Sequence, residues 1–226
     1  MHLARIASLT LAFASIAAAQ STVYGVDIRG DRAFTSDLGD FVANYAPLAV
    51  ESRQFFGLDF TADGLSLYAV DSNTFEIFTI SLDSGVSSPT GVAIGGLAAG
   101  TLTGLTAAPD GSTWYLSCYN GTNSLLYEGN IQTGVFSLVG NMGTPFFIDI
   151  SMSPDGRLFG LDINGDRLFE IDPGSASTSL VGPIGFNANF AQGMDFDPTT
   201  GDLVAALYSG GGAGVIATLN TFTGAS

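Results

Sequence analysis

The chain has 226 residues, 46% of them hydrophobic and 12% charged, which is enough apolar side chain for the buried core of one domain. It carries 21 acidic residues against six arginines and no lysine, giving a net charge of −15. A nucleic-acid backbone would repel such a chain, so we exclude DNA and RNA as partners. Thirty glycines and eight prolines without a G-X-Y period predict many tight turns.

The N-terminus has the pattern of a secretory signal peptide. Arg5 precedes the apolar segment 6–16, and Ala17-Ala18-Ala19 supplies the small residues of a cleavage site. The apolar segment is too short for a membrane-spanning helix, which needs about 20 residues. We therefore assign residues 1–19 to a signal peptide and residues 20–226 to the mature domain. We expect that domain to be secreted, extracellular or periplasmic, with no membrane span.

A repeat of about 45 residues organises the mature chain. Its clearest mark is a turn glycine followed by an apolar segment. Four such glycines lie 47, 45 and 45 residues apart: Gly64, Gly111, Gly156 and Gly201. The segments after the first three begin with large side chains: Leu67-Tyr68, Trp114-Tyr115 and Leu158-Phe159.

Each unit contains three further strand-like segments. An apolar–polar–apolar triplet precedes each turn glycine: Leu58-Asp59-Phe60, Leu105-Thr106-Ala107, Ile150-Ser151-Met152 and Met194-Asp195-Phe196. Third strands are predicted over 75–80, 125–130, 167–172 and 215–219, and fourth strands over 90–94, 135–139 and 178–181. Four short antiparallel strands per unit, without helical periodicity, predict an all-β fold: a β-propeller whose large side chains are buried between neighbouring blades.

The repeat also predicts where the chain enters and leaves the ring. Residues 23–27 match a second strand and residues 31–37 a third, so the mature chain enters within the first blade and leaves no room upstream for its first strand. Residues 223–226 match the turn after the third strand of the fifth unit. We therefore expect about 4.5 blades. Three explanations stay open: the chain is C-terminally truncated, it forms a five-bladed ring with an incomplete seam, or a second chain completes the ring.

The turn segment 153–162, with the weaker match Ala108-Pro109-Asp110-Gly111, resembles the Pro-Asp-Gly turn of bacterial propellers of the WD40-like and YVTN-like kinds. The opening segment Thr22-Val23-Tyr24-Gly25-Val26-Asp27 is similar to that of secreted bacterial propeller proteins of unknown function. The resemblance covers nearly all of the mature chain. It implies the fold and no particular activity.

The sequence offers no catalytic constellation. Cys118 is the only cysteine and His2 the only histidine, and His2 would leave with the signal peptide. A serine hydrolase lacks its usual base and the G-x-S-x-G turn. Zinc lacks its preferred nitrogen and sulfur ligands. We expect Cys118 to be a buried, unreactive thiol, and we predict neither a catalytic residue nor a cofactor.

The polar residues of the triplets are the remaining candidates for a site. Asp59, Thr106, Ser151 and Asp195 would lie near the propeller axis. Asp59 and Asp195 are weak candidates for a Ca²⁺ site, because Ca²⁺ prefers several oxygen ligands. The alternative is structural, with these residues bonded to the neighbouring blade or lining a water-filled channel. Segment 162–166 superficially resembles a calcium loop, but Asn164-Gly165 between two strands favours a type I′ hairpin turn.

Three functional interpretations follow from these observations. The leading one is a non-catalytic, secreted or cell-surface propeller that binds a protein or glycan partner. The alternative is a Ca²⁺-dependent propeller hydrolase or lactonase with an axial acidic site. A third interpretation is that the acidic, lysine-free composition reflects life at high salt rather than a partner.

Overall fold

The chain folds into five small antiparallel sheets arranged as the blades of a β-propeller. The computed structural model describes residues 9–14, 21–27, 30–97, 100–189, 193–210 and 213–226. Within these residues every regular element is a strand. No helix in the described part of the chain has the length and apolar character needed to cross a membrane.

The strands run through the blades in chain order, and each blade starts on its innermost strand. Blade 1 contains β1 (Leu9–Ala14), β2 (Thr22–Asp27), β3 (Arg32–Asp37) and β4 (Ala46–Val50). Blade 2 contains β5 (Phe55–Phe60), β6 (Leu67–Asp71), β7 (Glu76–Ile80) and β8 (Ser87–Ala93). Blade 3 contains β9 (Thr101–Ala107), β10 (Trp114–Tyr119), β11 (Ser124–Asn130) and β12 (Val135–Asn141).

The last two blades continue the same order. Blade 4 contains β13 (Phe147–Met152), β14 (Leu158–Asp162), β15 (Arg167–Ile171) and β16 (Thr178–Pro183). Blade 5 contains β17 (Gly193–Phe196), β18 (Leu203–Gly210) and β19 (Ala213–Leu219), and a fourth strand is absent from its described residues. The expected all-β propeller is confirmed, with five blades of three or four strands.

The repeat predicted from the sequence is also seen in the strand pairing, because equivalent residues of successive blades lie opposite equivalent partners. Tyr68 lies opposite Asp59, Tyr115 opposite Thr106 and Phe159 opposite Ser151 in their respective sheets. The large side chains of the second strands therefore occupy equivalent places in successive blades. The innermost strands place their triplet residues equivalently around the axis.

Packing between blades holds the ring together. The Tyr24 ring meets Phe60 of blade 2 edge-on at 5.6 Å between centroids, and Tyr68 meets Trp114 of blade 3 at 5.7 Å. Phe159 packs on Phe196 of blade 5 at 5.7 Å. Each fully buried large side chain contributes about 1.5–3 kcal/mol to the stability of such an interface.

The innermost strand of blade 1 differs from the sequence prediction. β1 lies in the segment assigned to the signal peptide, and it pairs with β2 from Leu9 opposite Asp27 to Ala14 opposite Thr22. In the full chain the apolar segment therefore supplies a first strand to this blade, whereas the absence of a first strand from the mature chain stays a prediction. Cleavage after Ala19 stays a prediction; residues 1–8 and 15–20, with His2 and the cleavage site, lie outside the described residues.

The turn at Asn164-Gly165 also differs from its prediction. Four residues connect β14 to β15, and the positive φ (52°) belongs to Asp166, whereas a type I′ turn requires positive φ at both central residues. The connection is therefore a four-residue loop. Gly211 and Gly212, between β18 and β19 in the sequence, lie outside the described residues.

Candidate functional site

Two rings of residues from the innermost strands surround the propeller axis. The first ring contains the polar residues of the triplets: Asp59, Thr106, Ser151 and Asp195. The second ring lies two residues earlier on the same face of each strand. Its members are Gly57, Gly104, Asp149 and Gly193. One blade therefore places a carboxyl where the other three have no side chain.

The first ring connects each of these blades to the next. The amide of Ala107 in blade 3 donates a hydrogen bond to Asp59 Oδ2 (2.8 Å), and the amide of Met152 in blade 4 donates to Thr106 Oγ1 (3.0 Å). Ser151 Oγ then donates to Asp195 Oδ1 in blade 5 (2.9 Å). Asp59 and Thr106 thereby satisfy backbone amides of the next blade, whereas the bond between Ser151 and Asp195 joins two side chains.

Asp149 makes the same kind of connection from the second ring. Its Oδ2 accepts the amide of Met194 in blade 5 (2.8 Å), and its Oδ1 accepts the amide of Ile150 (2.8 Å). The carboxyl reaches toward blade 3, where a Cβ added to Gly104 would lie 2.6 Å from Asp149 Oδ1. The missing side chain at Gly104 is therefore what makes room for this carboxyl.

Burial dominates the titration of both axial carboxyls. It raises the pKa of Asp59 to about 6, although the amides of Ala107 and Phe60 and the Thr106 hydroxyl partly oppose the shift. Burial raises the pKa of Asp149 well above its ordinary value, and the negative charge of Asp59 adds to the increase. Both groups therefore favour the neutral acid more than an exposed aspartate does.

Sequence analysis identified the first ring and missed Asp149. The triplets were recognisable because their polar residue lies five or six residues before the turn glycine in each repeat. Asp149 occupies a position that holds glycine in three other repeats, so the repeat itself gives it no partner. The available signal was a carboxyl two residues before Ser151 in the strand Phe147–Met152, whose other four residues are apolar. The period of a strand assigns Asp149 and Ser151 to the same face.

A cavity of about 230 Å³ opens at the end of the ring where the first and second strands of the blades are joined. Asp59 and Asp195 form part of its polar lining, and Phe60, Met152 and Phe196 form part of its apolar lining. Its rim is formed by equivalent exposed turn residues of four blades: Ala62, Pro109, Pro154 and Pro198. Three of these four rim residues are prolines, whose φ is fixed.

Aspartates in the turns around this cavity have lowered pKa values, in contrast to the raised values of Asp59 and Asp149. Asp110 accepts the amides of Ser112 (2.8 Å) and Thr113 (2.7 Å) as well as the Thr113 hydroxyl (2.5 Å). These hydrogen bonds stabilise the ionised form and lower the pKa of Asp110 to about 2. Bonds from the Thr61 hydroxyl and the Leu65 amide likewise lower the pKa of Asp63.

The residues on the axis do not match the needs of a Ca²⁺ site. Ca²⁺ takes about six to eight oxygen ligands, several of them from ionised carboxylates. Asp59 and Asp149 each use both oxygens to accept backbone amides. Within the described ranges, no three His, Cys, Asp or Glu side chains converge as metal ligands would.

Cys118 lies in β10 and is buried among the side chains between blades 2 and 3. Burial raises the pKa of its thiol to about 12. Because the thiolate is the reactive form, the environment disfavours nucleophilic chemistry at this residue.

Comparison with solved structures finds propellers. The chain is similar to a gluconolactonase from Xanthomonas campestris, at 14% identity and a TM-score of 0.63, over 98% of this chain and 75% of that one. The chain is also similar to the calcium-binding protein regucalcin from Agrobacterium tumefaciens, at 14% identity and a TM-score of 0.58. The match covers 98% of this chain and 74% of that one.

A further similarity is to a chain of a nidogen/laminin complex, at 14% identity and a TM-score of 0.57, over 96% of this chain and 81% of that one. No protein-family model matches the sequence, and a search of curated proteins gives no match either. Identities this low establish the fold alone. The chain is a five-bladed β-propeller.

Proposed function

We propose that the protein is a non-catalytic propeller, secreted or held at the cell surface, that binds a protein or glycan partner at the axial cavity. The observation that carries this proposal is the cavity itself. Its rim is exposed, and its lining combines the carboxyls of Asp59, Asp63 and Asp195 with apolar side chains. Asp59 and Asp195 already accept hydrogen bonds from residues of the neighbouring blades. Proline residues on the rim favour binding, because their fixed φ limits the conformational entropy that is lost when a partner docks.

The lining suits a ligand that offers both hydroxyl groups and an apolar face. A carboxyl whose two oxygens already accept amides gains a hydroxyl hydrogen to donate when it is protonated. The raised pKa of Asp59 increases the fraction of the protonated form near pH 6. Phe60 and Phe196 supply the apolar contact. A sugar ring at the end of a glycan has this combination of groups, as does a polar side chain on an apolar peptide.

Blocking the cavity tests the proposal. Ala62 is exposed on the rim, and Ala62→Trp would fill the entrance without changing the core. Thr122→Trp is the matched control, because Thr122 is exposed in the turn between β10 and β11, at the opposite end of the ring. Binding would be measured on an array of defined oligosaccharides and by affinity capture from the native secretome, followed by calorimetry with the ligand identified.

We expect Ala62→Trp to weaken binding at least tenfold and Thr122→Trp to leave it unchanged. Equal binding by both variants would place the interaction elsewhere on the molecule. Turnover of a small substrate such as a sugar lactone, together with no binding partner, would overturn the proposal.

The second candidate is a Ca²⁺-dependent hydrolase or lactonase with an axial acidic site that includes Asp59 and Asp195. It is favoured by the similarity to a gluconolactonase and to calcium-binding regucalcin. Calorimetric titration with CaCl₂ separates the two candidates. The binding proposal predicts no heat and no change in melting temperature, whereas a specific calcium site would raise the melting temperature by mass action.

A further inference from the structure

The inner position of blade 1 is occupied by a segment that export would remove. β1 pairs with β2 over six residues. It lies beside the innermost strands of the two neighbouring blades, β5 and β17. If residues 1–19 are removed as the proposed secretion requires, β2 loses its partner along its whole length. The backbone groups of β2 that face β1 are then unpaired inside the ring.

Blades 5 and 1 also contact each other through residues outside β1. Ser21 Oγ donates a hydrogen bond of 2.6 Å to Asp197 Oδ1, joining the start of the mature chain to a turn of blade 5. Val23 and Phe34 of blade 1 are buried in one apolar cluster with Val204 of blade 5. We therefore expect blade 1 to keep its place after processing, with a gap one strand wide beside β2.

We propose that this gap is a strand-acceptor site: the processed protein binds an extended segment of another chain, which pairs antiparallel with β2 as β1 does in the unprocessed chain. Unpaired backbone groups inside a protein are costly, so an added strand that satisfies them is stabilised. Strand addition of this kind is an established way for proteins to bind peptides. The inference rests on the proposed removal of the signal peptide.

The surroundings define the chemistry of the segment that fits. Val26 is buried with Leu58 of blade 2, and Val23 with side chains of blade 5, so the incoming strand meets apolar groups on both sides. Asp59, Asp149 and Asp195 already crowd the axis with carboxyls, which disfavours an acidic side chain there. The partner segment is therefore free of Asp and Glu.

The register adds a size requirement. Thr10 lies opposite Val26 and Ala12 opposite Tyr24, which are the sheet positions held by the two axial rings in the other blades. Three of the four described members of the second ring are glycine. We therefore expect the partner segment to have small residues at these two alternate positions.

The test uses the protein as an exporting host makes it. The full chain is expressed with its own N-terminus, and the secreted product is identified by intact mass as residues 20–226. It is then titrated with a synthetic peptide of residues 8–15 and with the same peptide carrying Leu11→Pro. Proline removes a backbone donor from the centre of the strand and is excluded from the middle of a sheet.

We expect the unmodified peptide to bind with one-to-one stoichiometry in calorimetry and to raise the melting temperature by several degrees. The proline peptide should bind at least tenfold more weakly. Equal binding of the two peptides, no binding, or a processed protein that stays unfolded even with the peptide would overturn the proposal. A secreted product that retains residues 1–19 would also overturn it, and it would show separately that the proposed cleavage of the signal peptide is wrong.

Discussion

The axial aspartates and the turn aspartates are the same residue type in two environments with opposite consequences. Asp59 and Asp149 are buried on the axis and have raised pKa values, whereas Asp63 and Asp110 lie exposed in turns and have lowered ones. All four accept hydrogen bonds from backbone amides. The comparison teaches that desolvation, rather than the number of donors, decides the direction of the shift here.

The difference also separates two structural roles. The axial carboxyls connect one blade to the next, over sequence distances of 48 residues for Asp59 and 45 for Asp149. The turn carboxyls fix local geometry within two or three residues. Loss of an axial carboxyl should therefore weaken the whole ring, whereas loss of a turn carboxyl should affect one hairpin.

The largest expected effect is that of Asp149→Ala. It leaves the buried amides of Met194 and Ile150 without their acceptors, and each unsatisfied buried donor costs about 1–3 kcal/mol. We expect the free energy of unfolding in urea to fall by about 4 kcal/mol. Asp149→Asn is the control, since its amide oxygen still accepts one bond, and it should lose less than half as much. An unchanged stability in Asp149→Ala would contradict the connecting role.

The next effect is a pH dependence controlled by Asp59. Because the folded-state pKa is raised from 3.8 to about 6, the contribution of this group to stability is complete below about pH 4 and is lost as pH rises through about 6. Asp59→Asn does not titrate. The stability of this variant relative to wild type should therefore increase by about 3 kcal/mol between acid and neutral pH. Parallel stability curves for the two proteins would refute the buried-acid assignment.

A smaller effect of opposite sign is expected for Asp110. Its lowered pKa means that its contribution is present above about pH 4 and is lost as pH falls toward 2. Asp110→Ala should lower the free energy of unfolding at pH 7 by less than about 1 kcal/mol, as is usual for an exposed turn residue. Thermal unfolding measured at pH 5 and pH 2 should show a smaller difference between the two pH values in the variant than in wild type.

The smallest expected signal is that of Cys118. The buried thiol, with a pKa of about 12, should not react with a thiol reagent such as Ellman's reagent while the protein is folded. One thiol per chain should react once the protein is unfolded in guanidinium chloride. Rapid modification of the native protein would indicate that the interface between blades 2 and 3 opens, and it would weaken the description of a tightly packed ring.

The regular spacing of glycines made most of the fold predictable from the sequence. It gave the second, third and fourth strands of blades 2 to 4 within a few residues. The outermost strand of blade 1, Ala46–Val50, was missed because Pro47 and the absence of alternation conceal it. Strand β1 was missed because the same apolar residues satisfy the pattern of a signal peptide.

Only part of the candidate site could be predicted in the same way. The offset from the turn glycine placed Asp59, Thr106, Ser151 and Asp195 on one ring. The role of Asp149 depends on space left by Gly104 in another blade, 45 residues earlier in the chain. The pKa shifts depend on burial between blades. Such tertiary properties have no signature in a single repeat.

The central claim is that the axial carboxyls are connectors between blades whose burial disfavours ionisation. Carbon-13 NMR of the aspartate carboxyl groups, followed over pH, tests it most directly. The account predicts a titration midpoint of about 6 for Asp59 and about 2 for Asp110 in the same sample. A midpoint for Asp59 at or below the ordinary value of 3.8 would contradict it.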